Sequence, residues 1–142
     1  MQDLVQIDNA FLNRNSNFLS NFFGKVVTFF IRSQRMIPAA LINEHRYQAA
    51  IDTLERARHA FGPHPDILTY QGYAWRKKGQ FDRAEGYYRQ ALAIAPEHRG
   101  ATEYYGELKV ERGDLAGARA MLARLDRICA YGCAEAEELR RW

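Results

Sequence analysis

Between Pro65 and His98 the small and apolar residues fall at the spacings that two antiparallel helices joined by a tight turn require. Leu68, Gln71, Gly72 and Trp75 recur at steps of three and four, which places them on one side of a helix that also carries Tyr70. Gly79 stops that helix, because glycine enters the left-handed conformation of a C-terminal cap at little cost. Phe81, Ala84, Tyr87, Tyr88, Ala91, Leu92 and Ile94 restart the same period, and Pro96 ends it by breaking the backbone ladder. Gly72 and Ala84 carry almost no side chain. They mark where the two helix backbones approach, with Trp75 and Tyr88 filling the space beside them.

One such hairpin cannot bury its own apolar side, so the pattern must repeat. A shift of 34 residues carries Tyr70 onto Tyr104, Gly72 onto Gly106, Gly79 onto Gly113, Phe81 onto Leu115, Ala84 onto Ala118 and Tyr88 onto Leu122. The reverse shift carries Phe81 onto Tyr47, Ala84 onto Ala50, Tyr88 onto Leu54 and Ala91 onto Ala57. Leu68-x2-Gln71-Gly72-x2-Trp75, then Ala84-x3-Tyr88, then Pro96, resembles the tetratricopeptide repeat, whose pattern is W-x2-L-G-x2-Y, A-x3-F and P. The resemblance covers about residues 45 to 132. The next unit, 99–132, has Lys109 at the large first-helix position and Ala130 in place of the proline. The preceding unit, within 37–64, matches in its second helix only, and Pro38 stands where the family has glycine.

Before the repeats, apolar Phe11, Leu12, Phe18, Leu19, Phe22, Phe23, Val26, Val27, Phe29 and Phe30 share a broad helical side. Arg14, Asn17, Asn21, Lys25, Thr28, Arg32 and Arg35 fall opposite. This Phe-rich amphipathic helix, within 1–36, reads first as a cap on the solenoid's open end. The alternatives give Phe11, Phe18, Phe22, Phe23, Phe29 and Phe30 to self-association, to docking on a larger host complex, or to a membrane surface. Self-association stands ahead of the membrane, because the polar side is rich in asparagine. A strand over residues 26–31 is a minor alternative. After Pro38, residues 39–43 read as a short helical piece and Tyr47 to Phe61 as a helix. Residues 134–142 read as a short capping helix, with Leu139 and Trp142 on one side and a Glu137–Arg141 pair.

Composition narrows the class. A chain of 142 residues with 47% hydrophobic and 13% aromatic content builds one packed domain, which is the prediction for 37–142. Net charge is only +3 and the signs are interspersed, which argues against a nucleic-acid partner. Mean hydropathy is −0.46 and no apolar run is long enough to span a membrane. The acidic opening lacks a secretory pattern, so the expected compartment is the cytoplasm, with an exported mature form as the alternative.

The first helices of successive repeats line the concave surface of such a solenoid. The family resemblance puts Asp66, Thr69, Tyr70, Tyr73, Arg76 and Lys77 there from one repeat, and Glu103, Tyr104, Glu107, Val110 and Glu111 from the next. Tyrosine offers large contact area at low entropic cost. Chaperone-binding members of the family hold a terminal carboxylate with Lys and Asn at these positions. Thr69, Tyr73 and Arg76 stand there in this chain, and that specificity does not transfer. The competing reading makes the charges a solvated surface and the tyrosines half-buried packing.

Cys129 and Cys133 bracket a Gly132 turn at a spacing a disulfide can span. Two reduced, half-buried thiols are the expected state in a cytosolic protein, a local disulfide is the alternative, and metal or redox activity comes last. No phosphate loop, nucleophile elbow or metal-ligating histidine pattern is present, and His45, His59, His64 and His98 read as ordinary polar residues. The expectation is therefore a non-catalytic, cofactor-free and metal-free all-α solenoid. It would capture a protein or peptide in its groove, with a self-assembling or accessory subunit as the alternative.

Overall fold

The computed structural model describes residues 38 and 40–142. The Phe-rich segment and its face, Phe11 to Phe30, lie outside the described residues. Residues 40–43 are helical, as is Pro38, which is fully buried. Six helices follow. They are α1 (Tyr47–Phe61), α2 (Pro65–Lys77), α3 (Phe81–Ile94), α4 (Arg99–Glu111), α5 (Leu115–Ile128) and α6 (Ala134–Arg141). Among the described residues there is no strand.

The repeat unit is legible in the turns. Gly79 and Gly113, 34 residues apart, close the first helix of each pair with φ of 75° and 77°, where an L side chain is disfavoured. The residue one repeat earlier is His45, and it too sits at positive φ, 59°. Its ring compensates in part, with Nδ1 2.6 Å from the Tyr47 hydroxyl.

The helix starts repeat in the same way. His64 precedes α2 and accepts a hydrogen bond from the Asp66 N–H on Nδ1; His98 precedes α4 and accepts from the Ala101 N–H on Nδ1. These two histidines are N-terminal caps, a role the sequence reading did not give them. His98 also bridges repeats, its Nε2 3.0 Å from Asp66 Oδ1. At the start of α5, Asp114 caps the Gly117 N–H at 2.8 Å.

Packing follows the small residues. A Cβ on Gly72 would stand 2.5 Å from Cε1 of Tyr88, so the missing side chain of α2 is what admits the tyrosine ring of α3. Ala84, Tyr88 and Leu108 form one core cluster, and Leu68, Ala91, Leu92 and Ala101 another. Each fully buried leucine there is worth about 1.5–3 kcal/mol of apolar transfer. At Gly106 the neighbour changes. The atoms nearest a Cβ there belong to Leu139 of α6, at 2.5 Å, so the last helix inserts where another repeat would pack. Lys109, which replaces the large residue of the pattern, runs over the Tyr105 ring and pairs with Glu85 at 3.4 Å and Asp114 at 3.2 Å.

Two expectations change. Cys129 and Cys133 are joined in a disulfide, with Cα atoms 5.8 Å apart, and are not two thiols. The bond ties the end of α5 to the start of α6. The expected Glu137–Arg141 pair is replaced by Arg140 on Glu137 and Asp126, and by Arg141 on Glu138 at 2.9 Å. Arg140 turns toward α5, where Asp126 offers a second carboxylate.

Candidate functional site

Helix α2 contacts α4 and α4 contacts α6, forming a row of first helices, while α3 and α5 pack behind. The inner surface of this row carries the candidate groove. Its residues come from period: Tyr73 and Arg76 lie three apart on α2, and Glu103, Glu107 and Glu111 lie at steps of four along α4.

The structure brings the two tyrosines together. Tyr73 and Tyr104 stack across the α2–α4 seam with ring centroids 4.8 Å apart and planes 28° from parallel. Tyr70, Tyr73 and Tyr104 are each half-buried, and each touches a core cluster on its inner edge. Burial pushes the Tyr73 and Tyr104 hydroxyls above the ordinary tyrosine range, so both stay protonated donors at neutral pH.

Arg76 is the residue whose role departs most from expectation. It is 3% exposed, and its guanidinium donates to Glu107 and, at 3.3 Å, to Glu111. The rings of Tyr73, Trp142 and Tyr104 surround it at 5.2, 5.3 and 5.9 Å from their centroids. Burial works against its charge, but the carboxylates of Glu107 and Glu111 favour it, and the guanidinium stays above its ordinary range, so the cation persists. Arg76 is thus enclosed rather than presented. Trp142, which the sequence reading placed only in a cap, forms part of that enclosure.

The remaining candidates separate by depth. Thr69 is buried, its hydroxyl donating to the Pro65 carbonyl at 2.7 Å, and it does not line the groove. Lys77 is exposed, its Nζ 5.3 Å from the Tyr73 ring centroid. Glu107 is buried against Arg76, and desolvation pushes its carboxyl up despite that cation. Glu111 is exposed at the end of α4. Glu103 is half-buried and has no ion pair among the described residues. Burial, followed by the charges of Glu107, Glu135 and Glu138, raises its pKa to about 7.

Other polar atoms serve the scaffold. Tyr88 Oη, Arg76 Nε, Trp75 Nε1 and Gln71 Oε1 are buried without a hydrogen-bond partner among the described residues. Among the same residues no helix is long and apolar enough to cross a membrane.

Two family models, both described as tetratricopeptide repeat, match residues 40–98 and 76–128, and together they span more than half of the chain. The chain belongs to the tetratricopeptide repeat family. It is similar to the probable biofilm formation methyltransferase WspC of Pseudomonas aeruginosa, with 33% identity over 89 residues that cover 63% of this chain and 21% of that protein. The chain spans about a fifth of the length of that relative. In fold it is similar to the tetratricopeptide repeat domain of Sgt2 from Aspergillus fumigatus, with a TM-score of 0.68, 20% identity, and coverage of 78% of this chain and 72% of that one. The first such domain of Spaghetti (RPAP3), bound to the HSP90 peptide SRMEEVD, gives a TM-score of 0.65 at 19% identity over 77% of this chain and 86% of that one. The Yersinia enterocolitica type III secretion chaperone SycD, in complex with a peptide of the translocator YopD, gives 0.66 at 16% identity over 79% and 85%.

Proposed function

We propose that this chain is a non-catalytic protein-interaction module that holds a peptide or helix of its partner in the groove of α2, α4 and α6. The observation that carries this reading is the stacked Tyr73–Tyr104 pair, which puts two half-buried aromatic rings at the seam of the inner surface. Aromatic side chains of this kind dominate binding energy at interfaces because their area is large and already ordered. The two neighbours with bound peptides, Spaghetti and SycD, support the same use of the fold. The methyl-transfer activity of the WspC relative is not carried over, since only about a fifth of that protein is matched.

Tyr70, Tyr73 and Tyr104 form the contact surface, with Lys77, Glu103 and Glu111 at its polar rim. Arg76 and Glu107 hold α2 to α4 beneath it. The test is capture of partners from lysate by the native chain and by the Tyr73→Ala, Tyr104→Ala double variant, with folding checked by circular dichroism. Loss of a specific captured protein is expected. Unchanged capture by the folded variant counts against the groove.

A further inference from the structure

Partner chemistry is written in the charges of the groove, and this inference rests on the reading just given. Five carboxylates face or flank the inner surface: Glu103, Glu107 and Glu111 from α4, and Glu135 and Glu138 from α6. On the opposite side stand Arg76 and Lys77 from α2. Arg76 is committed to Glu107 and Glu111 and is walled off by Tyr73, Tyr104 and Trp142. Glu135 and Glu138 have outer partners, Arg99 at 3.8 Å and Arg141 at 2.9 Å. Glu103 has none among the described residues, although it is half-buried and adjoins Tyr104 on α4, and the charge of Arg76 acts on it less than burial and the neighbouring carboxylates do.

A half-buried carboxylate crowded by others, at the edge of an aromatic surface and outside ion-pair distance of Arg76, favours a cation at closer range. We propose that the groove recognises a basic segment, seating a lysine or arginine side chain against Glu103 with its aliphatic stem across Tyr104 and Tyr70. Two observations support this independently of the acidic count. Among the described residues the deeply placed cation of the groove, Arg76, is enclosed and Lys77 at the rim is exposed, so an acidic peptide such as the SRMEEVD bound by Spaghetti meets Lys77 rather than a buried cationic clamp. The aromatic surface next to Glu103 accepts the stem of a long cationic side chain, which pairs charge with apolar contact.

The global charge makes the test discriminating. The chain is net positive, +3, so unspecific attraction would favour an acidic peptide over a basic one. Three acetylated and amidated amphipathic peptides, of leucine with lysine, glutamine or glutamate, would be titrated onto the full chain by fluorescence anisotropy. The lysine peptide is expected to bind about tenfold more tightly than the glutamine peptide, and the glutamate peptide most weakly. Glu103→Gln should remove most of that preference, and raising salt from about 0.05 to about 0.5 M should reduce it. A lysine peptide that binds no better than the glutamate peptide overturns the inference. If all three bind alike and Tyr73→Ala weakens all of them, the groove stands and only its charge preference falls. If the lysine peptide is preferred but neither Glu103→Gln nor Tyr73→Ala changes its binding, the site lies elsewhere and both readings fall.

Discussion

Arg76 and Glu107 form an ion pair across the α2–α4 seam with side-chain exposures of only 1% and 5%. A pair buried so fully is costly to break from one side, since the surviving charge is left without compensation. Arg76→Met or Glu107→Met alone is expected to lower stability by about 3–5 kcal/mol, whereas the double replacement should recover most of that loss. Urea denaturation of the three variants checks this. Single variants as stable as the native chain would mean that the pair is solvated. Binding tests that rely on Arg76→Ala would confuse lost contact with lost fold, so Tyr73 and Tyr104 are the better probes.

Tyr88 separates ring from hydroxyl. The ring fills the notch at Gly72, while Oη is buried with no hydrogen-bond partner among the described residues. Tyr88→Phe removes an unsatisfied polar atom and is expected to be neutral or slightly stabilising. Tyr88→Ala should cost about 3–5 kcal/mol by opening a cavity, and Gly72→Ala about 1–3 kcal/mol by overpacking. Thermal melts of the three variants measure the order. A large loss in Tyr88→Phe would reveal a hydrogen bond that the structure does not contain.

His45 occupies the left-handed position that glycine fills at 79 and 113. His45→Gly is therefore expected to relieve backbone strain of about 1 kcal/mol, less whatever the contact with Tyr47 contributes. A raised midpoint of thermal unfolding checks it; a lowered one would make the His45–Tyr47 contact the stronger term.

Glu103 sets a pH dependence whose sign is fixed. Its carboxyl is raised from 4.5 to about 7, by burial first and then by Glu107, Glu135 and Glu138. Between these values the folded chain holds a proton that the unfolded chain releases. The stabilisation is therefore full below about pH 4.5 and is lost as pH rises through about 7. Glu103→Gln should flatten this fall, and Glu107, shifted in the same direction, should leave a residue of it. Urea midpoints across that window measure the slope. An unchanged slope in the variant would remove Glu103 from the account.

Much of the fold is legible along the chain because each hairpin repeats one set of steric demands. Gly79 and Gly113 mark turns, Gly72 admits a ring, and Ala84 and Ala118 mark close approach, all at one spacing. The capping histidines, also 34 residues apart, could have been found by the same shift. The site was less legible. Arg76 reads as a partner-facing cation because charge at a groove position suggests exposure. Its enclosure depends on Trp142, which follows a helix outside the repeat period and so carries no periodic signal. The Cys129–Cys133 bond was likewise open, since spacing permits a disulfide without requiring one.

The central claim is that binding takes place on the inner surface of α2, α4 and α6. Amide chemical-shift mapping of the full chain, titrated with the leucine–lysine peptide, tests it most directly. Saturable shifts are expected to concentrate at Tyr70, Tyr73, Glu103 and Tyr104. Saturable shifts confined to α3 and α5 would place binding on the outer surface and contradict the account.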